Sequence, residues 1–506
     1  MSSPLTLRNL SSVLVRFAVV ETFEDPNTLQ SKQSYFSFAP RNTTSSNSSS
    51  KLAEQAQSFI GQRPDIYLSP FESYTPQINY QNGEDSTQLK TFIIRLTIVA
   101  DNGQRYRIDV NPTYTQKTWI SVVPLSPNPA KLFDAIYHPS SPTSHLTIVD
   151  GESLNLSAWM ADIPSELPLS AISIPGTHNS HTCYRALPSV RCQAVSVQAQ
   201  LENGIRFLDI RVVPSLPDYA KDLALVHGDF PISLTGTKYL EPVLQTCYKF
   251  LGDHESECIL ISLKREGMRK ATDEELSQIL DKHYITPHKD KWYIGTAVPY
   301  LKDVRGKLVL IRRYNIHESL KASPEDHSYG LDATAWPHNS THALHGPFCV
   351  QDYCEVMKPA MIPEKSQYSK EHLERAAKCT AFVPGVNTDE KNPVPAGPLY
   401  LNFLSGSNFW SMGTWPNKIS LRLNRDIEEW ICRRHHLERA SELEEGDTIG
   451  IAEGNASGVI KKALQGDGST GVVVMDHVGE RGDWDLVKLI VGLNKIVNTK
   501  YINAME

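Results

Sequence analysis

Leu169-Ser-Ala-Ile-Ser-Ile-Pro-Gly-Thr-His178-Asn179-Ser180 reads as a short apolar strand that stops at a Pro-Gly turn and delivers a histidine. Comparable units follow: Ile205-Arg-Phe-Leu-Asp209-Ile-Arg211, Leu223-Ala-Leu-Val before His227-Gly-Asp229, and Cys258-Ile-Leu-Ile-Ser-Leu before Lys264. Leu308-Val-Leu-Ile-Arg runs into Arg313-Tyr314, Leu399-Tyr-Leu-Asn-Phe-Leu into Ser405-Gly406, and Val472-Val-Val-Met into Asp476-His477. Apolar runs of this length suit strands buried on both faces, and helical stretches such as 239–251 and 273–283 separate them. Strands alternating with helices predict an α/β fold with a parallel sheet. Seven strands with room for an eighth, over about 350 residues, point to an irregular (β/α)8 TIM-type barrel across residues 151–506.

Upstream, residues 1–150 change character. Val13-Leu-Val-Arg-Phe-Ala-Val-Val, Thr91-Phe-Ile-Ile-Arg-Leu-Thr-Ile-Val, Tyr106-Arg-Ile-Asp-Val and Thr118-Trp-Ile-Ser-Val-Val are β-type runs, and Asp101-Asn-Gly is a hairpin signal. We expect an N-terminal all-β domain, a small antiparallel sandwich, with Pro139-Ser-Ser-Pro-Thr-Ser as the linker. The Ser/Asn-rich run near residues 40–52 is too polar to bury and reads as a disordered loop.

The chain has 506 residues, 40% hydrophobic and 21% charged, which fits two globular domains. No apolar run approaches the roughly 18 residues of a membrane span. Met1-Ser-Ser-Pro-Leu-Thr-Leu-Arg lacks the layout of a secretory signal. Eight scattered cysteines without a CxxC pair suit free thiols, Cys183 and Cys192 included, and hence a cytoplasmic location. A net charge of −7 argues against nucleic acid as a partner, and any membrane contact must be a transient, local one. Phe409-Trp410 and Trp415-Pro416, after the sixth strand, either enter a membrane interface or pack their loop. Residues 434–440 and 459–464 look helical around an acidic, Gly-containing insert, 442–458, with no assigned chemistry.

In a barrel of this kind the reactive side chains stand at the C-terminal ends of the strands. A lone histidine there is ordinarily structural, and a lone aspartate caps the next helix. Here His178, Asp209, Arg211, His227, Lys264, Arg313 and Asp476 all fall on one predicted rim, which favours a working site. Two imidazoles suit a general base and a general acid near neutral pH. A carboxylate on the far ring nitrogen fixes a histidine's tautomer. Arg211, Lys264 and Arg313 make one side cationic and suit an anionic, phosphate-bearing substrate. The set describes acid–base cleavage of a phosphodiester.

These segments resemble the catalytic X domain of the phosphatidylinositol-specific phospholipase C family in its bacterial form. The resemblance lies in Ile172-Ser-Ile-Pro-Gly-Thr-His-Asn-Ser, Gly204-Ile-Arg-Phe-Leu-Asp-Ile-Arg, Val226-His-Gly, Ile261-Ser-Leu-Lys-Arg-Glu, Arg305-Gly-Lys-Leu-Val-Leu-Ile-Arg-Arg-Tyr and Val474-Met-Asp-His, in that order. It spans about residues 158–495 and leaves the first 150 uncovered. It implies that His178, oriented by Asp476, deprotonates the inositol 2-hydroxyl, which attacks phosphorus and yields inositol 1,2-cyclic phosphate. His227 then protonates the departing diacylglycerol, and Arg211 holds the phosphate oxygens. Lys264, Arg313, Asp209 and Asp352 fall to the inositol side. Phosphatidylinositol or a glycosyl-phosphatidylinositol is the implied substrate and membrane surface partner.

The resemblance also implies a metal-independent enzyme without cofactors. Arg211 and Lys264 stand where calcium-dependent members of the family carry acids, and a cation cannot ligate calcium. Asn179 departs from the bacterial pattern, where an Asp supports the acid histidine. Either Asp229 or a differently placed carboxylate then supports His227, or the acid step is weaker. In Asp352-Tyr353-Cys354 the inositol-stacking Tyr is displaced by one residue. The competing readings are a phosphodiesterase for another lipid head group and a catalytically degenerate lipid-binding or adaptor protein.

Overall fold

The computed structural model describes residues 5–26, 52, 56–76, 92–140, 143–151, 154–214, 223–267, 271–321, 329–438 and 458–505. The chain forms two compact units. One is Leu154–Ile431 with Gln465–Glu506, the other Met1–Ser153 with Cys432–Leu464. The polar run at 42–51 and the insert at 442–457 lie outside the described residues.

The larger unit is a mixed helix and strand, α/β, structure. Besides Trp292–Tyr293, which pairs parallel with Leu308-Val309, its parallel strands are β1 (Ile174–Thr177), β2 (Phe207–Pro214), β3 (Ile259–Arg265), β4 (Leu308–Arg313), β5 (Leu331–Asp332), β6 (Phe348–Gln351), β7 (Leu399–Phe403) and β8 (Val472–Met475). Across the sheet they run β5, β4, β3, β2, β1, β8, β7, β6, each neighbouring pair parallel. β1 therefore pairs with both β2 and β8, the second and the last strands of the series. Among the described residues no ladder joins β5 to β6, so the circuit is open there. Residues 259–263 and 308–312 are buried one after another, as a sheet covered on both faces requires. Gly176 lets β1 lie close against β2: a Cβ there would come within 2.8 Å of the Phe207 Cβ.

Two expectations about strands fail in this unit. Leu169–Ala171 is a 3-10 turn led in by extended Pro168, and the first strand starts only at Ile174. Leu223–His227 is not a parallel strand of the sheet. It pairs antiparallel with β2, Val212 opposite Leu225, and turns again at Gly228-Asp229 to put His227 opposite Phe230. The link from Pro214 to Leu223 is too short for a crossover helix, so the chain folds back as a hairpin.

The smaller unit consists of two sheets. One orders Gly458–Lys461, Ser73–Pro76, Leu5–Asn9, Ser144–Asp150, Phe133–His138 and Thr118–Ser121. The other is built on Val15–Glu24, Phe92–Ala100 and Arg105–Val110. Leu7, Tyr74, Leu146 and Ile148 from the first share one hydrophobic cluster with Phe17, Leu96, Ile98 and Ile108 from the second. The Asp101-Asn-Gly signal does make a hairpin: Val99 faces Arg105, with Gly103 at φ +80°.

Several expected features of this unit are corrected. It is not purely antiparallel, because Leu5–Asn9 runs parallel to Ser144–Asp150. Pro139 does not begin a linker between units, because the strands on either side of this segment pair antiparallel, with His138 opposite His145. Residues 459–461 are strand rather than helix. The β-branched pair Val459-Ile460 extends the sheet along Thr75 and Tyr74. A helix over 434–440 is stopped at His436, whose φ of +55° lies in the left-handed region. Cys432–Leu464 thus belongs with the first unit, and the boundary expected at residue 151 divides the chain in only one of the places where it is divided.

Candidate active site

His178 follows β1 and Asp476 follows β8, so the pairing of these two strands brings the residues together although they lie far apart in sequence. His178 Nδ1 is 2.9 Å from Asp476 Oδ1, with the carboxylate 1% exposed and the imidazole 14%. With Nδ1–H donating to the carboxylate, Nε2 keeps its lone pair and accepts from the Asn179 amide at 3.1 Å. The residues after both groups, Asn179 and His477, have φ of +42° and +50°. This left-handed backbone turns the chain sharply away once each reactive side chain has been delivered.

The 223–231 hairpin brings His227 to within 6.1 Å of His178, ring centre to ring centre, with the planes perpendicular. His227 Nδ1 donates to the Val190 carbonyl oxygen at 2.7 Å and lies 3.7 Å from the Cys192 sulfur. Its free nitrogen is therefore Nε2. Asp229 is exposed beyond the turn at Gly228. Asn179 donates toward Cys192 Sγ at 3.7 Å and toward His178.

The cations stand on β2, β3 and β4, in register: Arg211 opposite Lys264, and Lys264 opposite Arg313. Arg211 donates to Asp209 Oδ2 through Nε at 3.2 Å and Nη2 at 2.9 Å, and to Glu266 through Nη1. Lys264 donates to Glu266 Oε1 at 2.9 Å, and the Gly228 amide to Glu266 Oε2 at 2.8 Å. Arg313 donates to Asp209 Oδ1 at 3.3 Å and lies over the Trp336 ring, 4.0 Å from its centre. Burial alone would lift the carboxyls of Asp209 and Glu266, but the cations outweigh it and hold both well below the usual range. Burial, followed by Arg211, pushes the Lys264 ammonium down, and burial takes Arg313 to about 10.

Asp352 follows β6 but spends one carboxylate oxygen on the Ser340 amide at 2.9 Å. It remains close enough to Arg313 to stabilise that charge. Glu266 was not singled out from sequence. Its signal was the two-residue spacing from Lys264, which in a strand places both on one face, as with Asp209 and Arg211. Cys192 and Trp336 carried no such signal, because they come from loops. All eight cysteines are free thiols.

The buried histidines couple the site to stability. Burial depresses His181 and His227 to about 4, and His178 and Arg211 reinforce this for His227. In the unfolded chain both take up protons near pH 6.5. Their contribution is whole above that value and is lost as pH falls toward 4, on the order of 3 kcal/mol per histidine. Urea unfolding at about pH 7.5 and about pH 4.5 should show a large drop in midpoint, reduced in His181→Phe. Equal midpoints at the two pH values would contradict the burial of neutral imidazoles.

The chain is similar to several known proteins. Residues 165–314 match the family model for the phosphatidylinositol-specific phospholipase C X domain. The 1-phosphatidylinositol phosphodiesterase of Listeria monocytogenes is 30% identical over 226 residues, 42% of this chain and 66% of that protein. The 1-phosphatidylinositol phosphodiesterase of Staphylococcus aureus strain Newman is 26% identical over 202 residues, 38% of this chain and 61% of that one. Human PI-PLC X domain-containing protein 3 is 26% identical over 163 residues, 26% of this chain and 49% of that one. The chain thus spans between about half and just under two thirds of these relatives' length. The solved phosphatidylinositol-specific phospholipase C of Listeria monocytogenes aligns at a TM-score of 0.46 and 21% identity, over 67% of this chain and 98% of that one. Residues 165–314 of the chain are thus similar to the X domain of the phosphatidylinositol-specific phospholipase C family.

Proposed function

We propose that the chain is a phosphodiesterase that cleaves phosphatidylinositol, or its glycosylated forms, to diacylglycerol and inositol 1,2-cyclic phosphate. The observation that carries this reading is the pair of facing imidazoles 6.1 Å apart beside three cations on adjacent strands. In this reading the larger unit is an irregular (β/α)8 barrel with its reactive groups at the strand ends.

His178 Nε2 takes the proton of the inositol 2-hydroxyl, and its Nδ1–H keeps Asp476 as partner, which stabilises the imidazolium. The hydroxyl oxygen bonds to phosphorus, the bond to the diacylglycerol oxygen breaks, and His227 Nε2–H supplies that oxygen with a proton. Arg211 faces the phosphate oxygens, and Lys264, Arg313, Asp209 and Asp352 line the inositol side. Among the described residues no carboxylate is hydrogen-bonded to His227, and its depressed pKa leaves it neutral near pH 7. An anionic phosphodiester bound beside it supplies the charge that draws its proton in.

Asp209 and Glu266, the acids of this rim, are committed to Arg211, Arg313 and Lys264. They offer a poor start to the six to eight oxygen ligands that calcium takes. The deciding experiment gives the purified chain a panel of phospholipids in excess chelator. We expect phosphatidylinositol to yield cyclic inositol phosphate at a rate that added calcium leaves unchanged. Release of choline or ethanolamine, turnover only with calcium, or no turnover at all would refute the reading.

Membrane contact falls to the aromatic loop after β7. Phe409 stacks on Phe230 at 4.6 Å, and Trp410, against it at 4.9 Å, is 88% exposed. Trp415 instead turns inward and donates to the Phe409 carbonyl at 3.0 Å. Trp410→Ala should weaken binding to phosphatidylinositol vesicles roughly tenfold with the fold unchanged, as read by sedimentation with the vesicles. Equal binding would assign Trp410 no role at the interface.

A further inference from the structure

The acid–base step leaves one reactive group of this site unused. The Cys192 side chain is buried, its sulfur 3.7 Å from His227 Nδ1, 3.7 Å from Asn179 Nδ2 and 3.6 Å from the Val190 carbonyl oxygen. Asp476 uses only Oδ1 on His178. Its Oδ2 is buried and, among the described residues, has no hydrogen-bond partner, an expensive condition for a carboxylate oxygen. A ring nitrogen of His178, the Cys192 sulfur and a carboxylate oxygen of Asp476 all lie within 4.8 Å of one another.

One class of ligand satisfies these three atoms together. A tetrahedral ion with bonds of about 2.0–2.3 Å spaces its ligands about 3.3–3.8 Å apart. The present spread closes to that by side-chain rotation of about 1 Å. Thiolate, imidazole and carboxylate are the donors of zinc and cadmium, whereas calcium and magnesium take oxygen alone. Charge also balances: a divalent ion with one thiolate, one carboxylate and a neutral imidazole is net neutral, which suits a buried pocket. Arg211 is the nearby charge that opposes a cation here.

We propose that His178, Cys192 and Asp476 form an inhibitory site for a thiophilic divalent cation of the zinc class. An ion there occupies His178, so the imidazole can no longer take the substrate's proton. The binding part stands on the geometry alone, and the inhibitory part rests on His178 being the base. The metal must displace the thiol proton, so affinity should rise with pH.

The test is titration of the whole chain with cadmium, followed by the ultraviolet thiolate-to-metal band, with zinc as competitor. We expect one band-forming ion that zinc displaces. Cys192→Ser should abolish the band, and His178→Ala should weaken binding by more than the roughly 100-fold that loss of a partner hydrogen-bonded to a ligand costs. Thermal melts without metal identify a variant that has failed to fold, and His178, being partly exposed, is the safer of the two. A band that survives in Cys192→Ser, or affinity unchanged in His178→Ala, overturns the site. Zinc should also stop turnover on phosphatidylinositol, and chelator should restore it. Binding without inhibition overturns the inhibitory part, and a chain inactive on every lipid still leaves the cadmium titration to decide the site.

Discussion

His227→Ala is expected to lower turnover of phosphatidylinositol by about 10²- to 10⁴-fold, yet to cost less than about tenfold on an inositol phosphodiester with an aryl leaving group. The difference isolates proton donation. Diacylglycerol leaves as an alkoxide unless a proton arrives in the transition state, whereas an aryl oxide departs without one. A histidine that only shaped the pocket would be missed equally by both substrates. His227 Nδ1 is committed to the Val190 carbonyl, so the transferable proton sits on Nε2 and exists only in the doubly protonated ring. Since that ring is pushed down to about 4, raising the pH depletes the acid. The natural substrate's rate should therefore fall on the alkaline side, and the aryl substrate's should not show that limb. Equal losses on the two substrates would remove His227 from the role of acid.

His178→Ala offers the contrast. A base is needed whatever the leaving group, so both substrates should lose activity alike. The two variants together separate the imidazoles by role, though they lie only 6.1 Å apart.

How far the sequence discloses this site depends on where each partner comes from. His178, Arg211, Lys264, Arg313 and Asp476 each follow or end an apolar run, so strand periodicity alone sets them on one rim. His227 is legible for a reason that only half holds. Its run is a real strand, but it belongs to a hairpin on β2 rather than to the parallel set. An apolar run carries no sign of its direction, and only the short link from Pro214 bears on it. The nearest acid in sequence to His227 is Asp229, but its partner in the structure is a backbone carbonyl, Val190 O, which no residue type announces. Glu266 was legible in its spacing from Lys264, and Cys192 was not legible at all. The Gly458–Lys461 strand shows the same limit. It interrupts the sequence of the larger unit and joins Ser73–Pro76, a pairing across most of the chain that local pattern does not encode.

Arg211→Lys is expected to lower kcat by roughly 10²- to 10³-fold while leaving the fold intact, and Arg211→Met to lower both activity and stability. The guanidinium does two jobs that its geometry keeps distinct. Through Nε and Nη2 it neutralises Asp209, which is fully buried, and through Nη1 it ties Glu266 to the same point. Lysine retains the charge and so most of the neutralisation, but it cannot span both carboxylates and also face two phosphate oxygens. Methionine removes the charge and leaves Asp209 with Arg313 as its remaining cation at 3.3 Å, a loss on the order of 3–5 kcal/mol for a buried pair broken on one side. The two substitutions therefore separate catalysis from architecture. Thermal melts should rank wild type and Lys close together and Met well below, while kcat on phosphatidylinositol in chelator should rank wild type far above both. A lysine variant that turns over at the wild-type rate would mean that the fork is there to hold the rim together and that the phosphate is stabilised elsewhere, with Lys264 next in line on the neighbouring strand.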